Sequence, residues 1–374
     1  MNTDTLINNE SVKPSIVLSE EQQLAANLIT SFLSSGDREF KLGGYAGTGK
    51  TTLIKHLRAN LNKRAHVCAF TGKAVNVLSK KDVPAQTIHS SIYDTEVNKD
   101  GTYSFFLKSR IDSRPDYIIV DEASMVSTEL YKDLLTFGKP IIFIGDPGQL
   151  EPVGDNPNLM SKPDFVLSKI HRQVEKSPII KLATQVRNGG ILDMPTSPEL
   201  YICCGRKEKL TAAEMLKATQ VLCAKNITRV KLNSMCRKEL GYTSPEIQTG
   251  ERLICLKNNR SFGVFNGMMF TVEEILTKNE VCYRVNLRDE LGNILRDKPI
   301  WRAPFVRPLS KNEYCSRDHI HCDFAYAITV HKSQGSEWEH VLLYDEWMPP
   351  LVWDMKRWRY TGITRASQKL TVYC

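Results

Sequence analysis

No stretch of the 374 residues stays apolar long enough to cross a bilayer, and no secretory signal opens the chain. A spanning helix needs roughly 20 consecutive apolar residues, so a membrane role is set aside. Cysteine pairs in C-x-x-C spacing are also missing, although ten cysteines are present. Scattered in this way, they are expected to be reduced cytosolic thiols, many on buried strands. Cys315, His319, His321 and Cys322 offer zinc-ligating side chains, but their spacing fits no standard finger, so a structural role carries more weight than a metal site. There is no internal repeat of solenoid period and no low-complexity run, and residues 1–14 read as a polar, disordered leader. Charge of one sign is not extreme: 50 basic against 42 acidic residues leave +8, compatible with a polyanionic partner without establishing one. The 25% charged and 41% hydrophobic fractions are those of an ordinary soluble protein, and the length suggests two or three domains.

What is present is centred on Gly44-Tyr-Ala-Gly47-Thr48-Gly49-Lys50-Thr51-Thr52, which fits G-x-x-x-x-G-K-[ST]. Glycines let the backbone curl so that its N–H groups face the phosphates of a nucleotide. Lys50 adds a point charge to them, and the Thr51 hydroxyl is placed to hold Mg²⁺. Phe40–Leu42 reads as the end of a strand, and Thr51 begins a helix whose N-terminus favours anions. Tyr117–Val120 is an apolar strand ending in Asp121-Glu122; Asp121 suits the magnesium and Glu122 the attacking water. Pro140–Ile144 is another buried strand, leading to Gly145-Asp-Pro-Gly-Gln149, where the Gln149 amide can reach a γ-phosphate or its water. Residues 39–150 thus read as a doubly wound, nucleotide-binding α/β domain.

Around this centre, Ser19 is expected to cap a helix that buries Leu24, Leu28, Ile29, Phe32 and Leu33. Gln22 on that helix can offer donor and acceptor to an adenine edge, although a solvated helical glutamine weighs more. His66–Phe70 reads as a strand running into Thr71-Gly-Lys73, and Thr87-Ile-His89-Ser90 supplies hydroxyls suited to phosphate oxygens. Thr95 to Arg110 breaks the α/β rhythm. Asp100-Gly101 is a hairpin signal, with Tyr103, Phe105 and Phe106 on the return strand, poised to wedge into a duplex or to pack on their own sheet. A second region opens at Leu167, with a strand at Gln220–Ala224 and Thr228 as an expected helix cap. Short strands separated by Asn, Gly and Asp turns from Gly250 to about Arg317 suggest a small β-barrel-like insertion. The α/β texture then returns at Phe324–Val330, Val341–Tyr344 and Leu370–Tyr373. Arg172 and Arg365 are candidates to reach across a cleft to the γ-phosphate, a contribution typically worth about 10³–10⁵ in rate.

Taken in order, these blocks resemble the superfamily 1 helicases, most closely the 1B branch of RecD-like and phage Dda-like DNA helicases. The family's Q motif falls on Leu18 to Gln22, motif I on Gly44 to Thr52, motif Ia on Phe70 to Ala74 and motif Ib on Thr87 to Ser90. Motif II is Asp121 to Ser124, motif III Gly145 to Val153, motif V Thr329 to Glu337 and motif VI Tyr360 to Ala366; motif IV centres on Arg172. The resemblance implies ATP and Mg²⁺ as cofactors, with Gln22, Gly47, Thr48, Gly49, Lys50, Thr51, Thr52, Gly335 and Glu337 around the nucleotide. It implies two RecA-like domains, 1A (18–92 and 114–166) and 2A (167–248 and 321–374), behind a leader extended to residue 17. A pin, 1B, would occupy 93–113 and an SH3-like domain, 2B, would occupy 249–320. The family moves 5′ to 3′ on single-stranded DNA and opens the duplex at the pin. Phe70, Thr71, Lys73, Thr87 and His89 in one domain, and Thr329, His331 and Lys332 in the other, are the expected grips on that strand. The compact layout, starting almost at the Q motif, suggests a free-standing monomer in the cytoplasm (a host's, if phage-encoded), meeting duplex junctions and single-strand-binding or replication proteins. An RNA-stimulated relative, or a DNA-stimulated switch that displaces proteins without unwinding, are the rival readings.

Overall fold

The computed structural model describes residues 17–97, 103–151, 157–170, 176–205, 210–290, 292–309, 313, 315–349 and 354–374. The leader, the Asp100-Gly101 turn and Arg172 lie outside the described residues, as do the side chains of Tyr103 and Phe105.

Helix α1 (Glu20–Ser35) starts where Ser19 closes a capping box with Gln22 and ends at Gly36, whose φ of 86° only glycine adopts at no steric cost. Its buried stripe is Gln22, Ala25, Ala26, Ile29, Phe32 and Leu33. Leu24 and Leu28, expected to be inside, are exposed because small alanines, not leucines, sit where the helix meets the sheet. That sheet is wholly parallel and contains β1 (Glu39–Gly44), β2 (Ala65–Ala69) and β3 (Gln86–Thr87). Between its next members, β4 (Tyr93–Val97) and β5 (Tyr103–Leu107) pair with each other as a separate antiparallel hairpin. The parallel sheet resumes with β6 (Tyr117–Asp121), β7 (Ile141–Gly145) and β8 (Phe165–Leu167), in the order β3-β2-β6-β7-β1-β8. Its central strands are the most apolar, β6 from Tyr117 to Val120 and β7 at all five positions being buried, as a sheet covered on both faces requires. Leu167 therefore closes the first unit instead of opening the second, and Glu21 accepts from the backbone N–H of Ser168 and Lys169 just beyond it.

The second unit is also parallel, built from β9 (Leu200–Cys203) and β10 (Gln220–Cys223) together with strands that return after an insertion. The insertion contains β11 (Arg252–Cys255), β12 (Met269–Lys278), β13 (Cys282–Asp289), β14 (Ile294–Trp301) and β15 (Cys322–Phe324), an antiparallel sheet in the order β14-β13-β12-β11-β15. Its two edges meet where Trp301 donates to Ile320 O and Ile320 donates to Pro299 O, so the sheet curls shut. The insertion thus runs through Phe324, four residues beyond its expected end. Strands β16 (Ala327–Thr329), β17 (Trp338–Tyr344) and β18 (Ala366–Tyr373) complete the second sheet, ordered β16-β10-β17-β18-β9.

Two further expectations are corrected. The helix over Asn226–Glu239 has Lys225, not Thr228, at its N-cap position and no side-chain cap; the Thr228 hydroxyl instead bonds Glu346, whose carboxylate also takes the N–H groups of Ala224 and Lys225. Cys204 and Cys374 form a disulfide, with Cα atoms 4.4 Å apart, because β9 and β18 run side by side and deliver both residues to one edge. The other eight cysteines are free thiols.

Candidate nucleotide cleft and second groove

The carboxyl ends of β1, β6 and β7 deliver the phosphate loop, Asp121-Glu122 and Asp146–Gln149 to one edge of the first sheet. Gly47 and Gly49 both have φ of 78°, the left-handed turn that brings the loop into helix α2 (Lys50–Asn60). Lys50 Nζ lies 2.6 Å from Gly44 O and 3.2 Å from Tyr45 O. Gly44 must be glycine here, since a Cβ would meet the Lys50 side chain at 2.9 Å. Thr48, 1% exposed, donates its hydroxyl to Tyr45 O at 2.8 Å.

The recessed position of Asp121 and the adjacent charge of Glu122 push the Asp121 carboxyl up to about 6, against the pull of Lys50. Glu122 takes φ of 52°, a left-handed conformation that costs energy outside glycine and is found where function holds it. Lys50, Thr51, Asp121, Glu122 and Gln149 face Gly335, Ser336, Glu337 and Arg365 of the second unit across a cleft of about 860 Å³, which Gly47, Gly49 and Thr52 also line. Arg365 is 6% exposed and holds only neutral acceptors: Thr361 O at 3.1 Å, Ser336 O at 3.1 Å and Thr364 Oγ1 at 3.2 Å. Among the described residues no carboxylate pairs with it. A buried guanidinium without a counter-charge, facing a cleft, suits an anionic ligand. Gln149 is 5% exposed, and its Oε1 has no hydrogen-bond partner among the described residues.

Gln22 is not part of the cleft lining. It is 1% exposed, its Nε2 donates to Thr48 O and Gly49 O at 3.2 Å, and its Oε1 accepts from Ser19 N at 2.9 Å. The amide braces the phosphate loop from behind, and its burial corrects the solvated reading. The reason is reach: the capping box fixes the carbonyl end, and the loop backbone lies within range of the other.

A second groove, of about 850 Å³, runs between the first unit and the closed antiparallel sheet. Phe70 and His89 line it, their rings 6.3 Å apart, and Tyr93 continues the row at 5.9 Å from His89. The opposite wall holds Lys257, Asn258 and Arg317, which sequence reasoning did not select, and His319 and His321, which it weighed only as metal ligands. Cys315 lies there too, and among the described residues no three His, Cys, Asp or Glu side chains are arranged as a metal centre. Thr71 and Thr87 are helix N-caps, accepting from Ala74 N at 3.1 Å and Ser90 N at 3.2 Å. Lys73, expected to grip nucleic acid, instead joins three units: Nζ is 3.0 Å from Glu290 of the antiparallel sheet and 4.6 Å from the Trp338 ring centroid of β17. Burial lowers the Lys73 pKa by disfavouring the ammonium, and the Glu290 carboxylate partly offsets this by favouring the charged form. Thr329, His331 and Lys332 line neither cleft, and Lys332 Nζ donates to Asn266 Oδ1 at 2.9 Å. Phe106 of the hairpin is 50% exposed.

Residues 17–195 match the family model described as an AAA domain, and residues 324–373 match the UvrD-like helicase C-terminal domain. The ATP-dependent RecD2 DNA helicase of Deinococcus radiodurans is 26% identical over 391 residues, covering 94% of this chain and 48% of that protein. The ATP-dependent DNA helicase dda of Enterobacteria phage T4 is 29% identical over 265 residues, covering 63% of this chain and 60% of that one. The chain thus spans less than two thirds of either relative. Among solved structures, Pif1 helicase from Bacteroides in complex with ADP-AlF3 and ssDNA aligns with a TM-score of 0.57 at 19% identity, covering 96% and 92% of the two chains. Pif1 helicase from Candida albicans aligns with a TM-score of 0.55 at 18% identity, covering 96% and 94%. That likeness shows the fold, two parallel sheets of RecA type facing one cleft. With its motifs in family order and both models matched, the chain is similar to the superfamily 1B helicases.

Proposed function

We propose that the chain hydrolyses ATP to move along single-stranded DNA, 5′ to 3′, and separates duplex strands at the β4–β5 hairpin. The observation that carries this reading is one cleft lined from the first unit by Lys50, Asp121 and Glu122 and from the second by the buried Arg365, which no carboxylate among the described residues neutralises. A triphosphate bound between them ties the two units together, and loss of the γ-phosphate releases them. Each cycle of closing and opening then becomes a step, provided each unit grips a strand. The relatives named above support DNA as the track, and polarity rests on family likeness alone.

In this reading the RecA-like domains 1A and 2A end and resume at the sheet limits described above, the hairpin is the 1B pin, and the closed antiparallel sheet is the SH3-like 2B domain. Lys50 and Arg365 neutralise phosphate charge from opposite sides, Gln149 orients the attacking water through its side-chain amide, and Glu122 takes its proton. Arg172 is kept as a second arginine of motif IV. Thr51 and Asp121 fit a magnesium ion: two apposed carboxylates, one already pushed up to about 6, are relieved by a cation. Bound there, the ion would supply positive charge to the phosphoryl oxygens. The strand would lie in the second groove, its bases against Phe70 and His89 and its phosphates toward Lys257 and Arg317, while Thr71, Thr87, Thr329, His331 and Lys332 contact the backbone as the units close. Single-strand-binding and replication proteins remain the proposed partners, with the monomer as the working unit.

The test is ATP hydrolysis without nucleic acid, with single-stranded DNA and with single-stranded RNA of matched sequence. Stimulation by DNA alone supports the proposal; equal or greater stimulation by RNA would replace the track; no stimulation by either would remove the motor. Unwinding of 5′-tailed but not 3′-tailed duplexes then tests polarity.

A further inference from the structure

The loop from Asp146 to Leu150 is held mostly by the opposite unit. Tyr360, on the helix over Met355–Ile363, is 1% exposed and reaches across the cleft. Its hydroxyl donates to Asp146 Oδ2 at 2.8 Å and accepts from the backbone N–H of Ala46 at 2.8 Å. Ala46 belongs to the phosphate loop. One residue on, Thr361 Oγ1 accepts from Leu150 N at 2.9 Å, and Gln334 Nε2 donates to Leu150 O at 2.7 Å. The Tyr360 ring lies so close to Gly148 that a Cβ there would meet it at 2.9 Å. Asp146 in turn accepts from Gly148 N at 2.8 Å and from Gln149 Nε2 at 3.3 Å. A single phenol from the second unit therefore touches the loop that cradles phosphates and, through Asp146, the amide that faces the reacting end.

We propose that Tyr360 is a positioning residue for hydrolysis, its hydroxyl locking the phosphate loop and the Gln149 loop into one geometry only when the two units are closed. This rests on the reading of the cleft as an ATPase site. Asp146 can aim the Gln149 Nε2 only from a fixed position, and Tyr360 is the contact from the other unit that fixes it. The Ala46 N–H, drawn to the phenol, sets the entry of the loop. Relative motion of the units is then felt at both places at once.

Tyr360→Phe removes the hydroxyl and keeps the ring against Gly148. The DNA-stimulated kcat is expected to fall roughly 30–1000-fold, as for loss of one charge-assisted and one neutral hydrogen bond. KM for ATP should stay within about threefold, because the phosphate contacts themselves remain. Thermal melting of the nucleotide-free protein should be nearly unchanged. A kcat within about twofold of the parent overturns the proposal, and so does a loss of kcat matched by collapse of melting temperature and nucleotide affinity, which marks a merely structural role. A second readout is independent of turnover: the fall in radius of gyration on adding ADP and aluminium fluoride, by small-angle scattering. The parent should contract and Tyr360→Phe should contract less; equal contraction overturns the proposal. If the parent hydrolyses no nucleotide with any nucleic acid, the ATPase reading fails, whereas the scattering comparison still decides the role of Tyr360.

Discussion

Replacing Arg365 by Ala separates a charge kept for a ligand from a charge kept for the fold. The guanidinium is 6% exposed and satisfied by three neutral acceptors of its own unit. Burying an uncompensated cation costs on the order of several kcal/mol even after relaxation. In the nucleotide-free protein that cost stands against stability, so Arg365→Ala is expected to leave the melting temperature unchanged or to raise it. Hydrolysis should fall by about 10³–10⁵, equivalent to about 4–7 kcal/mol of transition-state stabilisation. Arg359, six residues earlier, provides the contrast. Its Nε and Nη2 bond both oxygens of Asp345 at 2.9 Å and 2.8 Å, and Asp345 is 4% exposed. Arg359→Ala leaves that carboxylate buried and alone, a loss of about 3–5 kcal/mol in stability. Steady-state hydrolysis on single-stranded DNA and thermal melting, run on both variants, give a crossed pattern. Turnover of Arg365→Ala within about tenfold of the parent, or a loss of stability matching that of Arg359→Ala, would refute the reasoning.

Glu122→Gln should keep ATP affinity and lose turnover; equal loss of both, by nucleotide titration and hydrolysis, would make Glu122 structural. Gln22→Ala should raise KM for ATP and GTP alike, because the amide braces the phosphate loop; a loss confined to ATP would point to the adenine-edge role. Replacing Tyr103, Phe105 and Phe106 together by Ala should spare DNA-stimulated hydrolysis and impair unwinding of a forked duplex. Unchanged unwinding would remove the hairpin from the separation step.

The features legible in the sequence are those whose physics is local. A left-handed turn needs glycine, and Gly47 and Gly49 announce it. A helix start needs a cap three residues from its partner, and Ser19 and Gln22 provide it. Strands covered on both faces must be apolar throughout, so Tyr117–Val120 and Ile141–Ile144 were readable, together with the carboxylates and amide at their ends. Long-range choices were not readable, because many partners in a chain satisfy the same side chain equally well on paper. Periodicity alone could not say that α1 turns its alanines and not Leu24 and Leu28 inward. Nor could it say that Gln22 spends its amide on the loop behind it, or that Lys73 finds Glu290 and Trp338. The curling of the insertion through Ile320, the pairing of Cys204 with Cys374 and the reach of Tyr360 to Asp146 likewise depend on which elements become neighbours. Arg359 and Arg365 lie six residues apart, and only the tertiary structure gives Asp345 to the first and leaves the second facing the cleft with no carboxylate partner among the described residues. Local sequence determined which chemistry the chain carries, and packing decided which of those groups remain available to use it, since burial satisfies some charges and isolates others.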